Sequence, residues 1–180
     1  MSTLRVNRIE PRTGSKVEIV GFSSDQPSFY AEMTGGNLSV SNNVDTKVPL
    51  SSTLNRVDTD NLLDANGKFT ATASTAGIWR FTGQVNGIET SGNHWLDNVF
   101  AMIFKNGTAI SEGTDSIHSV GGSYGKYYQT QTFTLIQRVE AGDYLELYGR
   151  VGHSPDSGAS GSPLVIQQRS TNFTGNRISS

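Results

Sequence analysis

The residues with most chemical capacity are three histidines, His94, His118 and His153, and an acidic cluster of Asp58, Asp60 and Asp64 with Asn66. Imidazoles act as metal ligands or general bases when they converge, and clustered carboxylate and amide oxygens suit calcium. Each histidine, however, sits in a segment rich in Gly, Ser and Asp, and no pair has metal-ligand spacing. The acidic cluster has Leu62 where the fifth position of an EF-hand loop supplies an oxygen. The expectation is therefore solvated loop histidines and Asp and Asn side chains that cap turns, with no metal and no cofactor. A triad of His153, Ser154 and Asp156 fails because neighbours on an extended chain point to opposite sides, and no Gly-x-Ser-x-Gly elbow is present. The Gly-rich runs 120–125 and 155–161 lack the Gly-Lys-Ser/Thr ending of a phosphate loop. Cysteine is absent, which removes thiolate chemistry and disulfides together. No enzyme is expected.

The remaining chemistry is that of recognition. Trp95, Tyr124, Tyr127 and Tyr128 stand beside Gly-rich loops and supply aromatic platforms for a glycan or a protein surface; the alternative is a set of inter-strand loops without a ligand. A net charge of -2, with 14 basic against 16 acidic residues, offers no cationic excess for phosphates, so neither nucleic acid nor an anionic membrane is an expected partner. No run of about 18 apolar residues and no secretory leader is visible, so the expectation is a soluble protein that reaches a surface by assembly, without membrane insertion. The sequons at Asn37, Asn106 and Asn172 then carry no expected glycan.

The elements that must position these residues are strands. Low charge and abundant Gly, Ser, Thr and Asn form a strand-and-turn composition, and 180 residues suit one core with a short appendage. The appendage is residues 1–27. Leu4, Val6 and Ile9 alternate with polar residues up to Pro11, and Val17 and Ile19 resume after Thr13-Gly14-Ser15, which predicts a β-hairpin arm. Two strands alone are marginal in water, so these five side chains need an identical copy or a docking protein to lie against. From Ser28 strand patterns recur: Phe29–Met33, an edge strand at Val48-Pro49-Leu50, Phe69–Thr72, and a cleanly alternating Ile78–Val85. Val99–Phe104, nearly continuously apolar, is expected to be the most buried strand and ends in an Asn106-Gly107 hairpin turn. Tyr127–Leu135 alternates, but its Gln residues blur which face is inward. Tyr144–Tyr148, Leu164–Gln167 and Asn172–Thr174 complete an antiparallel sandwich or jelly roll.

Several segments resemble the C1q/TNF-like domain in the order that family places them. Phe29-Tyr30-Ala31 looks like its aromatic first strand, and 61–71 its turn into a strand beginning Phe-Thr-Ala, with Leu63 where the family usually has an aromatic. Residues 76–81 are similar to its Gly-Val-Tyr-x-Phe strand, 104–107 to its lysine-containing hairpin, 139–147 to its Gly-Asp-x-Val strand, and 173–178 to its terminal Phe-x-Gly-x-x-Ile strand. The resemblance implies a ten-stranded jelly roll over residues 28–180, packed in threes about an axis. Carried over, the axial candidates are Trp79, Phe81, Tyr144 and Leu145; the competing reading of Trp79 and Phe81, which share one strand face, is ordinary sandwich core. The arm, Ser2 to Pro11 with Thr13-Gly14 and Val17-Glu18-Ile19, looks like the start of many phage tail-fibre and appendage proteins.

These readings converge on a homotrimeric, non-enzymatic bacteriophage virion protein on the particle's exterior. Its arm, 1–27, docks on another virion protein, and its head meets a host-surface glycan or protein through loops near 88–98, 112–128 and 152–162. The alternatives are a capsid decoration trimer that stabilises the phage head and, more remotely, a secreted C1q-like lectin.

Overall fold

The computed structural model describes residues 26–51, 58–90, 96–116, 128–153 and 163–179. The arm candidates Leu4, Val6, Ile9, Val17 and Ile19 lie outside these residues, as do Trp95, Tyr124, Tyr127, His94 and His118. No helix occurs among the described residues, which form twelve strands. In order these are β1 (Ser28–Met33), β2 (Leu38–Val40), β3 (Thr46–Lys47), β4 (Leu50–Ser51), β5 (Phe69–Thr70), β6 (Gly77–Glu89), β7 (Leu96–Lys105), β8 (Thr108–Ser116), β9 (Tyr128–Val139), β10 (Tyr144–His153), β11 (Leu164–Ile166) and β12 (Asn172–Ser179). The expected count of ten gives way to twelve because several pairings are only two or three residues long. Around Pro49, which has no N–H for a ladder, the expected single edge strand divides into β3 in one sheet and β4 at the edge of the other.

Two antiparallel sheets result. In sheet A, β9 pairs with β6 along almost its whole length, while β12 and then β11 share the opposite edge of β6; β1 and β4 follow β12, and β2 follows β11. In sheet B, β10 is central, with β5 and β3 along one edge and β7 then β8 on the other. Period-two alternation decides which residues lie between the sheets. On β1 Phe29, Ala31 and Met33 are buried; on β6 Trp79, Phe81 and Val85; on β7 Val99, Ala101 and Ile103; on β10 Leu145, Leu147 and Val151; and on β12 Phe173. Five aromatics mesh at the centre. Phe29 meets Phe69 at 5.4 Å and Phe173 at 5.0 Å, and Trp79 meets Phe69 at 4.8 Å and Phe81 at 5.7 Å, within the range in which ring pairs add attraction beyond area. The indole N–H of Trp79 is satisfied inside the core by the carbonyl of Thr75 at 2.9 Å.

Trp79, Phe81 and Leu145 are thus wholly buried within one chain, which corrects their placement on an intermolecular axis: their strand faces point between the sheets, and ordinary core is the reading that holds. Tyr144, on the other face of β10, is half-buried, with the Lys68 ammonium 5.2 Å from its ring centroid. The Asn106-Gly107 turn forms as expected, with φ of 52° and 81°.

Candidate recognition and assembly surface

Strand direction gives the sandwich two unlike ends. β6 ends, β7 begins, β8 ends, β9 begins, β10 ends and β11 begins at one of them, as the registers Ile88↔Tyr128, Glu89↔Leu164, His153↔Leu96 and Asn98↔Ser116 require. The three loop regions singled out from sequence therefore attach at this same end, although residues 91–95, 117–127 and 154–162 lie outside the described ones. At the opposite end β1 begins and β12 finishes, and the carbonyl of Pro27 accepts from the Arg177 N–H at 3.0 Å. The chain thus leaves the residues of the predicted arm and enters the head at the end remote from the loops.

That arm-side end is pinned by one carboxylate. Asp143 accepts from Lys105 Nζ at 2.7 Å, from Asn106 Nδ2 at 2.7 Å and from the Glu140 N–H at 2.8 Å, so it ties the β7–β8 hairpin to the turn before β10. The Lys105 hydrogen bond, then those from the Glu140 N–H and Asn106, lower its pKa from 3.8 to about 2. Asp58 and Asp64 are likewise occupied. Asp58 accepts from the N–H groups of Leu62 and Leu63, and Asp64 from those of Asn66 and Lys68, which is the turn-capping role expected of the acidic cluster. Among the described residues no three His, Asp or Glu side chains are grouped to hold a metal.

His153 departs from the expectation of a solvated loop histidine. β10 continues five residues beyond Tyr148, so His153 is a buried strand residue whose Nδ1 has no hydrogen-bond partner. Gln129 and Glu89 are also buried close to this end, making the loop end of the core polar where the arm end is aromatic. Ser154 and Asp156 lie outside the described residues.

The two outward faces of the sandwich differ. On sheet B the aromatic rings of the outer face are covered: Phe104 stacks on Tyr148 at 4.0 Å, the Arg150 guanidinium lies 4.8 Å from the Phe100 ring, Arg150 pairs with Asp45, and Lys47 pairs with Glu146, while Ile110 on β8 is 37% exposed. The Asp45 hydrogen bond also raises the pKa of Arg150, and burial raises that of Tyr148. Sheet A presents instead cross-strand rows of hydroxyls and amides. One row is Ser28, Asn176, Arg80 and Ile136; the next Tyr30, Thr174, Thr82 and Thr134; the next Glu32, Asn172, Gln84 and Thr132. Thr82 and Thr134 share a 2.8 Å hydrogen bond, Thr132 donates to Gln84 Oε1 at 3.0 Å, and Arg80 Nε donates to Asn176 Oδ1 at 3.1 Å. Apolar side chains stand uncovered at both ends of these rows: Ile136 is 66% and Ile178 43% exposed toward the arm end, and Tyr128 is 69% exposed beside Ile88 toward the loops. Tyr128 is thus the one aromatic recognition candidate among the described residues, on the sheet face and not in a loop. The signal for Ile136 was available from sequence only once the inward side of β9 is known, because Thr132, Thr134 and Ile136 occupy the alternate positions to Phe133 and Leu135.

No family model matches the sequence, and no curated protein matches it by sequence. Solved structures do match the fold. Eiger TNF from S. frugiperda superposes with a TM-score of 0.57 at 11% identity over 86% of this chain and 93% of that one. Murine APRIL at pH 5.0 gives 0.57 at 12% identity over 86% of this chain and all of the other. The globular domain of zebrafish complement 1qA gives 0.51 at 9% identity over 84% and 97%. The fold is accordingly a jelly roll of the C1q/TNF type, as the resemblance in sequence implied.

Proposed function

We propose that the chain is a non-enzymatic structural module of a bacteriophage particle. In this reading it is a homotrimer whose arm, residues 1–27, docks on another virion protein and whose loop end faces the host surface. The observation that carries the reading is the opposed placement of the two ends: the chain enters the head from the arm side, and the three connections β6–β7, β8–β9 and β10–β11 attach at the other. A rigid sandwich with loops at its far end is the usual geometry of a recognition head. The virion assignment rests on the arm's likeness to phage appendage proteins.

Support for trimerisation comes from β9. Its outer edge is unpaired among the described residues, runs twelve residues without Pro, Gly or Lys, and carries one charge, Arg138. Long bare edges of this kind are templates for unwanted pairing unless something covers them. Ile136 and Tyr128 flank that edge on the open face of sheet A, so a neighbouring copy seated on β6 and β9 would cover edge and apolar side chains together. The three-fold arrangement is the one the C1q/TNF resemblance implies.

Electron microscopy of the intact particle, with the trimer fitted to density, tests this. The expected result is a trimer on a tail or head appendage with the loop end of the head pointing outward. Trimers seated on the capsid lattice with the loop end inward would replace the receptor-binding role with capsid decoration. Absence of the chain from purified particles would overturn the virion assignment.

A further inference from the structure

Toward the loop end of sheet A's outer face, β1, β12 and the turn before β12 enclose a groove of about 390 Å³. That is within the range of small-molecule sites, about 300–1,000 Å³, at its lower end. Met33 and Thr171 form the buried floor, and Tyr30, Glu32, Asn172, Gln168 and Arg169 stand around it. The Tyr30 hydroxyl donates to Glu32 Oε1 at 2.7 Å, which fixes the carboxylate and leaves Oε2 open to a ligand donor. The turn is held in shape from below. Ser170, at φ 64°, presents its carbonyl to Gln84 Nε2 at 2.7 Å, and Thr171 Oγ1 donates to the Gln167 carbonyl at 2.6 Å while accepting from the Asn86 N–H at 3.1 Å.

The side chains of Gln168, Arg169 and Asn172 make no hydrogen bond or ion pair among the described residues, although all three border the groove. Two amides and a guanidinium therefore line one concavity with their bonding capacity unspent, beside a carboxylate of which one oxygen is already held by Tyr30. Donors and acceptors in such a mixture match the vicinal hydroxyls of a sugar, each of which donates once and accepts twice. Glu32 and Arg169 both line the groove, so it carries one charge of each sign.

We infer that this groove is a binding subsite for a neutral pyranose saccharide, with Glu32 accepting from a ring hydroxyl, Arg169 and Gln168 donating to its neighbours, and Asn172 bonding in either direction. The groove lies on β1, β12 and the turn before β12, with β6 between β12 and β9. The inference does not depend on the virion role.

The test is a titration of the full chain with the methyl glycosides of glucose, galactose, mannose and N-acetylglucosamine, followed by amide chemical shifts. The expected result is saturable shifts at residues 30–33 and 168–172 with at least one glycoside. Glu32→Gln and Arg169→Ala each weaken that binding tenfold or more, with unchanged thermal melts. Ser28→Ala, on the same face but outside the groove, leaves it intact. No saturable shift with any of the four, shifts that survive both substitutions, or binding of glucuronate in preference to glucose would overturn the assignment.

Discussion

Replacing Asp143 by Asn removes a charge while nearly preserving shape, and should destabilise the head at neutral pH but scarcely at all near pH 2. Three donors converge on this carboxylate, and they lower its pKa from 3.8 to about 2. At about 1.36 kcal/mol per pH unit, the interval corresponds to about 2 kcal/mol of preferential stabilisation of the charged form. The side chain is 16% exposed and lies at the sandwich end, so solvent screening brings the expected cost of Asp143→Asn to about 1–2 kcal/mol. The direction follows from linkage. A carboxylate whose pKa is depressed by folding contributes its full stabilisation above its unfolded value, and loses it as pH falls through the folded value. The parent chain should lose this contribution between about pH 4 and pH 2, whereas Asp143→Asn has none to lose. Urea denaturation read by tryptophan fluorescence, at one protein concentration and at pH 7, 4 and 2, gives the gap between the two chains. A gap that persists at pH 2 would assign the effect to packing, and no gap at pH 7 would mean that the three hydrogen bonds do not fix the turn.

Other substitutions probe the remaining layers. Gly67 has φ 71° and a Cβ built there would sit 2.2 Å from Leu50 Cβ, so Gly67→Ala should cost about 2 kcal/mol or more, seen as a lowered melting temperature. Phe173→Ala opens a void between Phe29 and Phe81 and should cost about 3–5 kcal/mol in urea titrations, enough to leave much of the chain unfolded at 37 °C. Ile136→Asp places a charge on the bare face beside β9 and should split the assembly in sedimentation while the circular dichroism of the strands persists.

Much of the fold is legible because its determinants are local. The alternation of Trp79 and Phe81 with Arg80 and Thr82 declares an inner and an outer face, and Asn106-Gly107 declares a hairpin whatever surrounds it. What alternation does not declare is whether an inner face belongs to one chain or to three, which is why the resemblance could carry Trp79, Phe81 and Leu145 over as axial contacts until the second sheet is seen to cover them. The inward side of β9 is obscure for a related reason: Gln129 and Gln131 share that side with Phe133 and Leu135, since the core turns polar toward the loops. His153 is hidden by the length of β10, whose last residues Gly149, Gly152 and His153 carry no strand signature of their own. The groove is illegible because Glu32 comes beside Asn172 and the turn before it only through the pairing of β1 with β12.

The proposed function depends on association of three copies through the β6 and β9 side of sheet A. Sedimentation equilibrium of the full chain at micromolar concentration tests that directly: a single species of three chains is the predicted result, and a folded, stable single chain at the same concentration would contradict it.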